Sequence, residues 1–94
     1  MNNDVYRALA DPTRRQILHL LRDGSRTAGD VAAQFAQAAS TISGHLSVLT
    51  NAGLIVQERQ GQRLVYHLQM SVVEEAVAAL LALTGRTTQQ SEES

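Results

Sequence analysis

The sequence has no cysteine, no lysine and no tryptophan, and its 94 residues include one proline, two tyrosines and one phenylalanine. Without cysteine there is no disulfide, no thiolate metal site and no thiol redox switch. A core with so few aromatic side chains must consist of Leu, Ile, Val and Ala, which favours closely packed helices. A chain of this length forms one small domain, so a two-domain enzyme is not expected.

The charges are unevenly distributed along the chain. The net charge is −1, but residues 1–67 carry seven Arg against five acidic residues, whereas residues 68–94 carry Arg86 against four Glu. The basic character therefore lies in the body of the chain. The N-terminus lacks the basic and apolar segments of a secretion signal, and no apolar run approaches the roughly 20 residues that span a bilayer. These features predict a cytoplasmic protein that does not insert into membranes.

Hydrophobic spacing and capping residues predict the order of secondary structure elements. Helices are expected at about residues 3–9, 12–23, 28–36, 40–51 and 71–84, with a β-hairpin over 54–68. Asp11 before Pro12 is typical of a helix start, and Thr27 with Asp30 resembles a capping box. The order predicts a mainly α, dimeric winged helix-turn-helix fold with a two-stranded hairpin as the wing. The domain is assigned to residues 1–86, and the polar tail, residues 87–94, is expected to be disordered.

The fourth predicted helix has one apolar side and one small polar side. At 100° per residue, Ile42, Leu46 and Leu49 share the apolar side. Small hydroxyl residues at a helix start can bind phosphates and base edges in the major groove, although a solvated amphipathic helix gives the same pattern. Gly44 lies in the interior of this helix, where glycine is unfavourable. It indicates either that a partner approaches the backbone closely or that tertiary packing holds the helix despite the glycine. The predicted DNA-contacting residues of this helix are Ser40, Thr41, Ser43, Gly44, His45 and Ser47.

The predicted hairpin carries cations beside its turn. Arg59, Gln60 and Arg63 are expected to contact phosphates or the minor groove, although two solvated charges would look the same. Alternation places Leu64, Tyr66 and Leu68 on one face, which is interpreted as the core face. Arg14 and Arg15 at the start of the second helix could contact phosphate or pair with acids such as Asp11.

The last predicted helix is apolar nearly all round its second half. Such a helix must be covered on more than one side, and in so short a chain a second copy is the expected cover, a helix buried within a monomer being the alternative. The first helix is expected to join the interface. The predicted dimer contacts are Val5, Tyr6, Leu9, Val73, Val77, Leu80 and Leu81.

The sequence shows neither a catalytic residue pair nor a set of metal ligands. Ser43 and His45 point about 200° apart on a helix and cannot form a nucleophile–base pair within one chain. His19 and Asp23 lie one helical turn apart, but two ligands without a third indicate solvent exposure rather than a metal site. No phosphate loop or paired carboxylates are present. We therefore predict no enzyme activity, no cofactor and no metal site.

Three motifs together resemble one family. Residues 8–18, ALADPTRRQIL, resemble the second-helix signature of the ArsR family of bacterial repressors. Residues 40–49, STISGHLSVL, resemble its recognition helix, and residues 51–55 with 61–68 resemble its helix end and wing. The resemblance spans about residues 3–84. It implies a homodimeric repressor that binds an operator in double-stranded DNA, often that of its own operon, with Ser43 and His45 near the DNA.

Two departures from the family bear on the inducing signal. Many relatives sense metal through a cysteine motif on the third helix or through Asp and His on the last helix. Here the corresponding residues 26–32 contain no cysteine, and residues 71–84 contain neither Asp nor His. The chain therefore resembles the metal-independent, SdpR-like autorepressors more than the metal sensors, and a protein partner that sequesters the dimer is a hypothesis. A two-fold dimer predicts an inverted-repeat operator. The alternative is a winged-helix module that binds only protein.

Overall fold

A computed structural model of the chain describes residues 3–86, which form five helices and a small antiparallel sheet. The predicted tail, residues 87–94, lies outside the described residues. Among residues 3–86 no helix has both the length and the apolar content needed to cross a bilayer. The elements are α1 (Asn3–Leu9), α2 (Pro12–Arg22), β1 (Arg26–Thr27), α3 (Ala28–Ala32), α4 (Ala39–Asn51), β2 (Ile55–Gln60), β3 (Arg63–Leu68) and α5 (Met70–Ala82).

The capping residues act as their sequence positions predict. Asp11 is the N-cap of α2, and its Oδ2 accepts a hydrogen bond from the backbone N–H of Arg14 at 3.1 Å. Thr27 and Asp30 form a reciprocal capping box at the start of α3. Each cap supplies a partner to a backbone group that the first helical turn leaves unpaired.

The end of α4 is fixed by a glycine. Gly53 has φ +81°, a conformation that other residues rarely adopt. It allows the N–H of Leu54 to donate to the carbonyl of Leu49 at 3.1 Å, as in a Schellman motif. Leu54 is then fully buried, so the same turn ends the helix and starts the chain into the sheet.

Two elements differ from the prediction. The third helix ends at Ala32 rather than near residue 36, because the N–H groups of Gln34 and Phe35 donate to carbonyls three residues earlier, which tightens the chain into a turn. The additional strand β1 pairs with β3 and makes the sheet three-stranded in the order β1-β3-β2. Two residues are too short a segment to show alternation in a sequence.

The hairpin projects beyond the core. Gly61, with φ +65°, occupies the first position of a two-residue turn closed by the Gln60–Arg63 pair. Leu64, predicted to be in the core, is instead 39% exposed, because it lies nearer the turn than the segment of β3 that β1 covers. Val65, on the opposite face of β3, pairs with Thr27 of β1 and is 7% exposed.

The core lies where α2, α3 and α4 meet the base of the sheet. Its most completely buried side chains are Ile17, Val31, Ile42, Leu46, Leu49, Leu54 and Ile55. All are aliphatic, as the shortage of aromatic residues requires. The apolar side of α4 is therefore anchored, and its orientation is set by the core.

Candidate nucleic-acid interface

The outward face of α4 is open and consists of small residues. Ile42, Leu46 and Leu49 are at most 1% exposed, so the helix turns its opposite side to solvent. The predicted contact residues that lie exposed there are Ser40, Thr41, Ser43, Gly44 and Ser47. The structure thus brings these five together on one surface.

The N-terminus of α4 carries no side-chain cap. Its N-cap is Ala38, whose methyl side chain cannot accept a hydrogen bond from the first amides of the helix. Uncapped N–H groups and the positive end of the helix dipole favour an anion at this place. Ser40 and Thr41 lie in the same first turn and are exposed. At the other end of the face, Val48 and Asn51 share a groove with Asp4 and Arg7 of α1.

Nothing within the described residues requires glycine at position 44. A Cβ placed on it would have no atom within 4 Å beyond the helix itself and its neighbours, and its φ is not positive. The residue lies on the exposed face. Neither crowding within the chain nor backbone strain therefore explains it.

His45 is placed differently from the other predicted contact residues. Its side chain is only 16% exposed, and it faces the start of α2 rather than the open surface. Nη1 of Arg14 lies 3.1 Å from its Nδ1, and its Nε2 lies 3.9 Å from Oδ2 of Asp11. The outward face of α4 therefore does not include the imidazole of His45.

Arg14 and Arg15 bind the end of α1. Nε and Nη2 of Arg14 donate to the carbonyls of Ala8 and Arg7 at 2.8 and 3.1 Å. Nη1 of Arg15 donates to the carbonyl of Leu9 at 2.7 Å. Guanidinium groups at a helix C-terminus satisfy its unpaired carbonyls and complement its dipole. These bonds differ from both expected roles, phosphate contact and an ion pair with Asp11.

The wing residues lie beside the turn, as expected, but on different faces. Arg59 pairs with Leu64 across the hairpin, and Gln60 pairs with Arg63. Since successive side chains of a strand alternate, Arg59 projects from one face while Gln60 and Arg63 project from the other. The two cations therefore flank the hairpin rather than forming one patch.

A further cation, Arg26, lies near the wing and was not among the predicted residues. It lines a groove of about 280 Å³ between β1 and the hairpin, together with Ser25, Thr27, Asp30, Gln60, Arg63 and Val65. Its Nε is buried without a hydrogen-bond partner. The pairing of β1 with β3 brings Arg26 into this groove, and nothing in the sequence indicates that pairing.

The predicted dimer residues differ in what they leave exposed. Val77 and Leu80 of α5 are 47% and 46% exposed, whereas Val5 is 3% exposed within the single chain and cannot offer surface to a partner. Tyr6, Leu9, Val73 and Leu81 are partly buried. Met70 and Leu83 of the same region are also exposed, although they were not predicted. An exposed apolar strip therefore runs along α5.

Metal-ligating side chains are sparse. Within residues 3–86, no three His, Asp or Glu side chains are grouped closely enough to hold a metal ion. His19 and Asp23 line an open groove with Gln16, Leu20, Gln34 and Phe35. The absence of metal sensing stays a prediction.

The model of the arsR family of bacterial regulatory proteins matches residues 11–56, from the N-cap of α2 into β2. The transcriptional repressor SdpR of Bacillus subtilis (strain 168) is 42% identical over 79 residues, which cover 84% of this chain and 88% of SdpR. The chain belongs to the arsR family of bacterial regulatory proteins. The resemblance found in its motifs is thereby confirmed, as is the prediction of a regulator rather than an enzyme.

Two solved structures agree with the ArsR-family fold. A crystal structure of a possible transcriptional regulator for arsenical resistance has a TM-score of 0.76 at 35% identity and covers 82% of this chain and 80% of that protein. The solution structure of a homodimeric winged helix-turn-helix DNA-binding domain from Mycobacterium bovis has a TM-score of 0.72 at 30% identity, with coverage of 88% and 77%. The winged helix-turn-helix prediction is confirmed.

We expect Asp11 to make stability depend on pH. The backbone hydrogen bond from Arg14, assisted by the nearby His45 and the Arg14 side chain, lowers the pKa of Asp11 below its ordinary value of 3.8. The stabilisation that the Asp11 carboxylate contributes is therefore complete above pH 3.8. It is lost as the pH falls through the lower pKa of the folded state. Asp11→Asn retains a capping oxygen without the charge. Thermal unfolding should show the variant less stable than wild type near neutral pH, with the difference shrinking towards about pH 3.

The matched control is Asp23→Asn, which removes an exposed carboxylate beside Arg22 at the other end of α2 and leaves the N-cap, Asp11, unchanged. A difference between Asp11→Asn and wild type that stayed constant from neutral pH to about pH 3 would contradict the assigned role.

Proposed function

We propose that this ArsR-family protein is a transcriptional repressor that binds an inverted-repeat operator in double-stranded DNA as a homodimer, in the cytoplasm. The observation that carries the proposal is the exposed, small-residue face of α4, which begins at an uncapped N-terminus. A major groove about 12 Å wide admits one helix, and short side chains let its backbone approach closely. Repression of its own operon is part of the proposal, as is independence from metals.

The residues of α4 have distinct parts in this proposal. Ser40 and its neighbouring first-turn amides would bind a backbone phosphate at the positive end of the helix dipole. Thr41, Ser43 and Ser47 would contact base edges, and the threonine methyl group suits a thymine methyl. His45, mostly buried, would orient the helix instead of reading bases.

The arginines of the wing would bring positive charge to the DNA backbone beside the groove that α4 occupies. Arg59 and Arg63 project from opposite faces of the hairpin, so they would bind phosphates on both sides of its path. Arg26 lies in the groove beside Arg63 and would add a third guanidinium. Phosphate contacts fix register without reading sequence, which leaves specificity to α4.

We expect the wing arginines to contribute to affinity through phosphates. The experiment is titration of the full chain onto the DNA upstream of its own gene across a range of salt concentrations. Each of Arg59→Ala and Arg63→Ala removes two phosphate contacts from a dimer, so the slope of log K against log salt should become shallower by about 1.8. Both should weaken binding to all sequences alike, whereas Thr41→Ala or Ser47→Ala should change the preferred sequence.

Arg22→Ala is the control for loss of a cation, since Arg22 lies at the end of α2 beside Asp23. No preference for the upstream DNA over unrelated DNA would refute the proposal and favour a module that binds only protein. Loss of sequence preference in the arginine variants would mean that the two roles are reversed.

We expect Gly44→Ala to separate stability from DNA binding. Because a Cβ at this position meets open space, alanine should stabilise the free protein by about 0.5–1 kcal/mol. The same methyl group should weaken operator binding if the DNA approaches the helix here. Urea unfolding and operator titration measure the two effects. Gly29→Ala in α3 is the matched control, since its Cβ meets only Thr27 Oγ1 at 3.9 Å. Unchanged affinity in Gly44→Ala would show that the glycine is merely tolerated.

The exposed strip of α5 supports the dimer. Val77 and Leu80 lie half-exposed on a helix whose buried residue, Ala76, is small. A second copy that contributes its own α5 would cover this strip, with Tyr6 and Leu9 of α1 at its edge. A two-fold axis would place the two α4 helices about 34–36 Å apart, one turn of DNA, which requires an inverted repeat.

We expect Leu80→Glu to dissociate the dimer, because it places a charge in the apolar interface. Sedimentation should show wild type at twice the chain mass and the variant at the chain mass, with operator affinity lost in parallel. Ser71→Glu adds the same charge at an exposed position at the start of α5 and should remain dimeric. A wild-type chain that sediments as a monomer would refute the dimer.

The inducing signal is proposed not to be a metal, since the chain has no cysteine and the described part of α5 offers only Glu74 and Glu75 as ligating groups. Release by a sequestering protein partner remains a hypothesis. Addition of transition metals to the DNA-bound dimer tests the first point, and release of DNA at stoichiometric metal would refute it.

A further inference from the structure

Arg14 joins three helices through one guanidinium group. It is part of α2, its Nε and Nη2 donate to the last carbonyls of α1, and its Nη1 lies 3.1 Å from Nδ1 of His45 on α4. Each of the three guanidinium nitrogens thus has an acceptor within the protein. The link connects α1, which borders the proposed dimer interface, to α4, which carries the proposed DNA surface.

The hydrogen-bond chemistry of this link fixes the state of His45. A guanidinium group has only donors, so Nδ1 of His45 must accept and the ring hydrogen must be on Nε2. That Nε2 lies 3.9 Å from Oδ2 of Asp11, which accepts from the backbone N–H of Arg14. The imidazole is only 16% exposed, so water competes weakly for the hydrogen bond between Arg14 and His45.

We propose that Arg14 is a positioning residue for operator binding, which holds α4 at a fixed rotation relative to α1. The inference rests on the proposed function. In a dimer, the spacing and angle of the two DNA-reading helices depend on how each α4 sits on its own α1. A planar fork with five donors sets both distance and direction, which the single ammonium of lysine cannot do. Loss of the link would misplace the helices without removing a DNA contact.

The test compares Arg14→Gln with Arg15→Gln in the full-length chain, by operator titration across a range of salt. Arg15 also caps α1, with Nη1 2.7 Å from the Leu9 carbonyl, but this bond does not reach α4. Arg14→Gln should lower operator affinity about three- to thirtyfold. Its salt slope should equal that of wild type, because no phosphate contact is lost. Arg15→Gln should retain wild-type affinity.

A second pair of variants keeps the test decisive if Arg14→Gln does not fold. His45→Asn keeps an acceptor near the place of Nδ1, whereas His45→Leu removes it. The His45→Asn variant should retain most of the operator affinity, and the His45→Leu variant should lose it. Nitrogen-15 NMR of the histidines should show the Nε2–H tautomer of His45 in wild type.

The outcomes that overturn the inference are distinct from failure of the proposed function. Unchanged affinity in Arg14→Gln, a salt slope shallower by about 1.8, equal effects of asparagine and leucine at position 45, or an Nδ1–H tautomer in wild type each overturn it. A wild-type chain that shows no preference for its upstream DNA overturns the proposed function, and the inference with it.

Discussion

Burial of one side of α4 determines what the rest of the molecule can do. Ile42, Leu46 and Leu49 leave almost no surface to solvent, and their spacing turns the opposite side of the helix outward. The other elements support this placement: the Gly53 turn ends the helix, and α1, α2, α3 and β2 contact it. If the apolar side were less completely buried, α4 could rotate, and the hydroxyl residues would not form a defined surface. The orientation of the candidate site is therefore a consequence of core packing.

Features that depend on local chemistry could be read from the sequence. The apolar spacing of α4, the Asp11–Pro12 start of α2 and the Thr27–Asp30 capping box involve residues within four positions of each other, so their physical effect is contained in a short segment. The same holds for the Gly61 turn and for the exposed serines and threonines opposite Ile42 and Leu46. These features suffice to define the fold and one side of the candidate interface.

Features that depend on distant contacts could not be predicted in this way. The strand β1 exists only because β3 accepts it as a neighbour, and this pairing also buries Val65 and brings Arg26 beside Arg63. The helical spacing of α4 places His45 between the apolar and the polar side, so this spacing does not decide whether His45 is buried. Its burial is decided by Arg14, 31 positions earlier in the chain. Likewise, Arg14 and Arg15 bind carbonyls of α1, a choice that depends on where that helix ends in space.

The small number of available cations explains why a dimer suits this chain. The net charge is −1, and Arg14 and Arg15 are committed to the end of α1. Near the wing this leaves Arg26, Arg59 and Arg63, so one subunit could neutralise about three phosphates and its affinity would be modest. In the proposed dimer, two subunits joined along α5 would double that number and present two copies of α4 in a fixed geometry. Binding of the second half-site is then intramolecular, which raises affinity without any new contact. Dimerisation through the exposed apolar strip of α5 would thus compensate for the small number of cations on the proposed DNA-binding face.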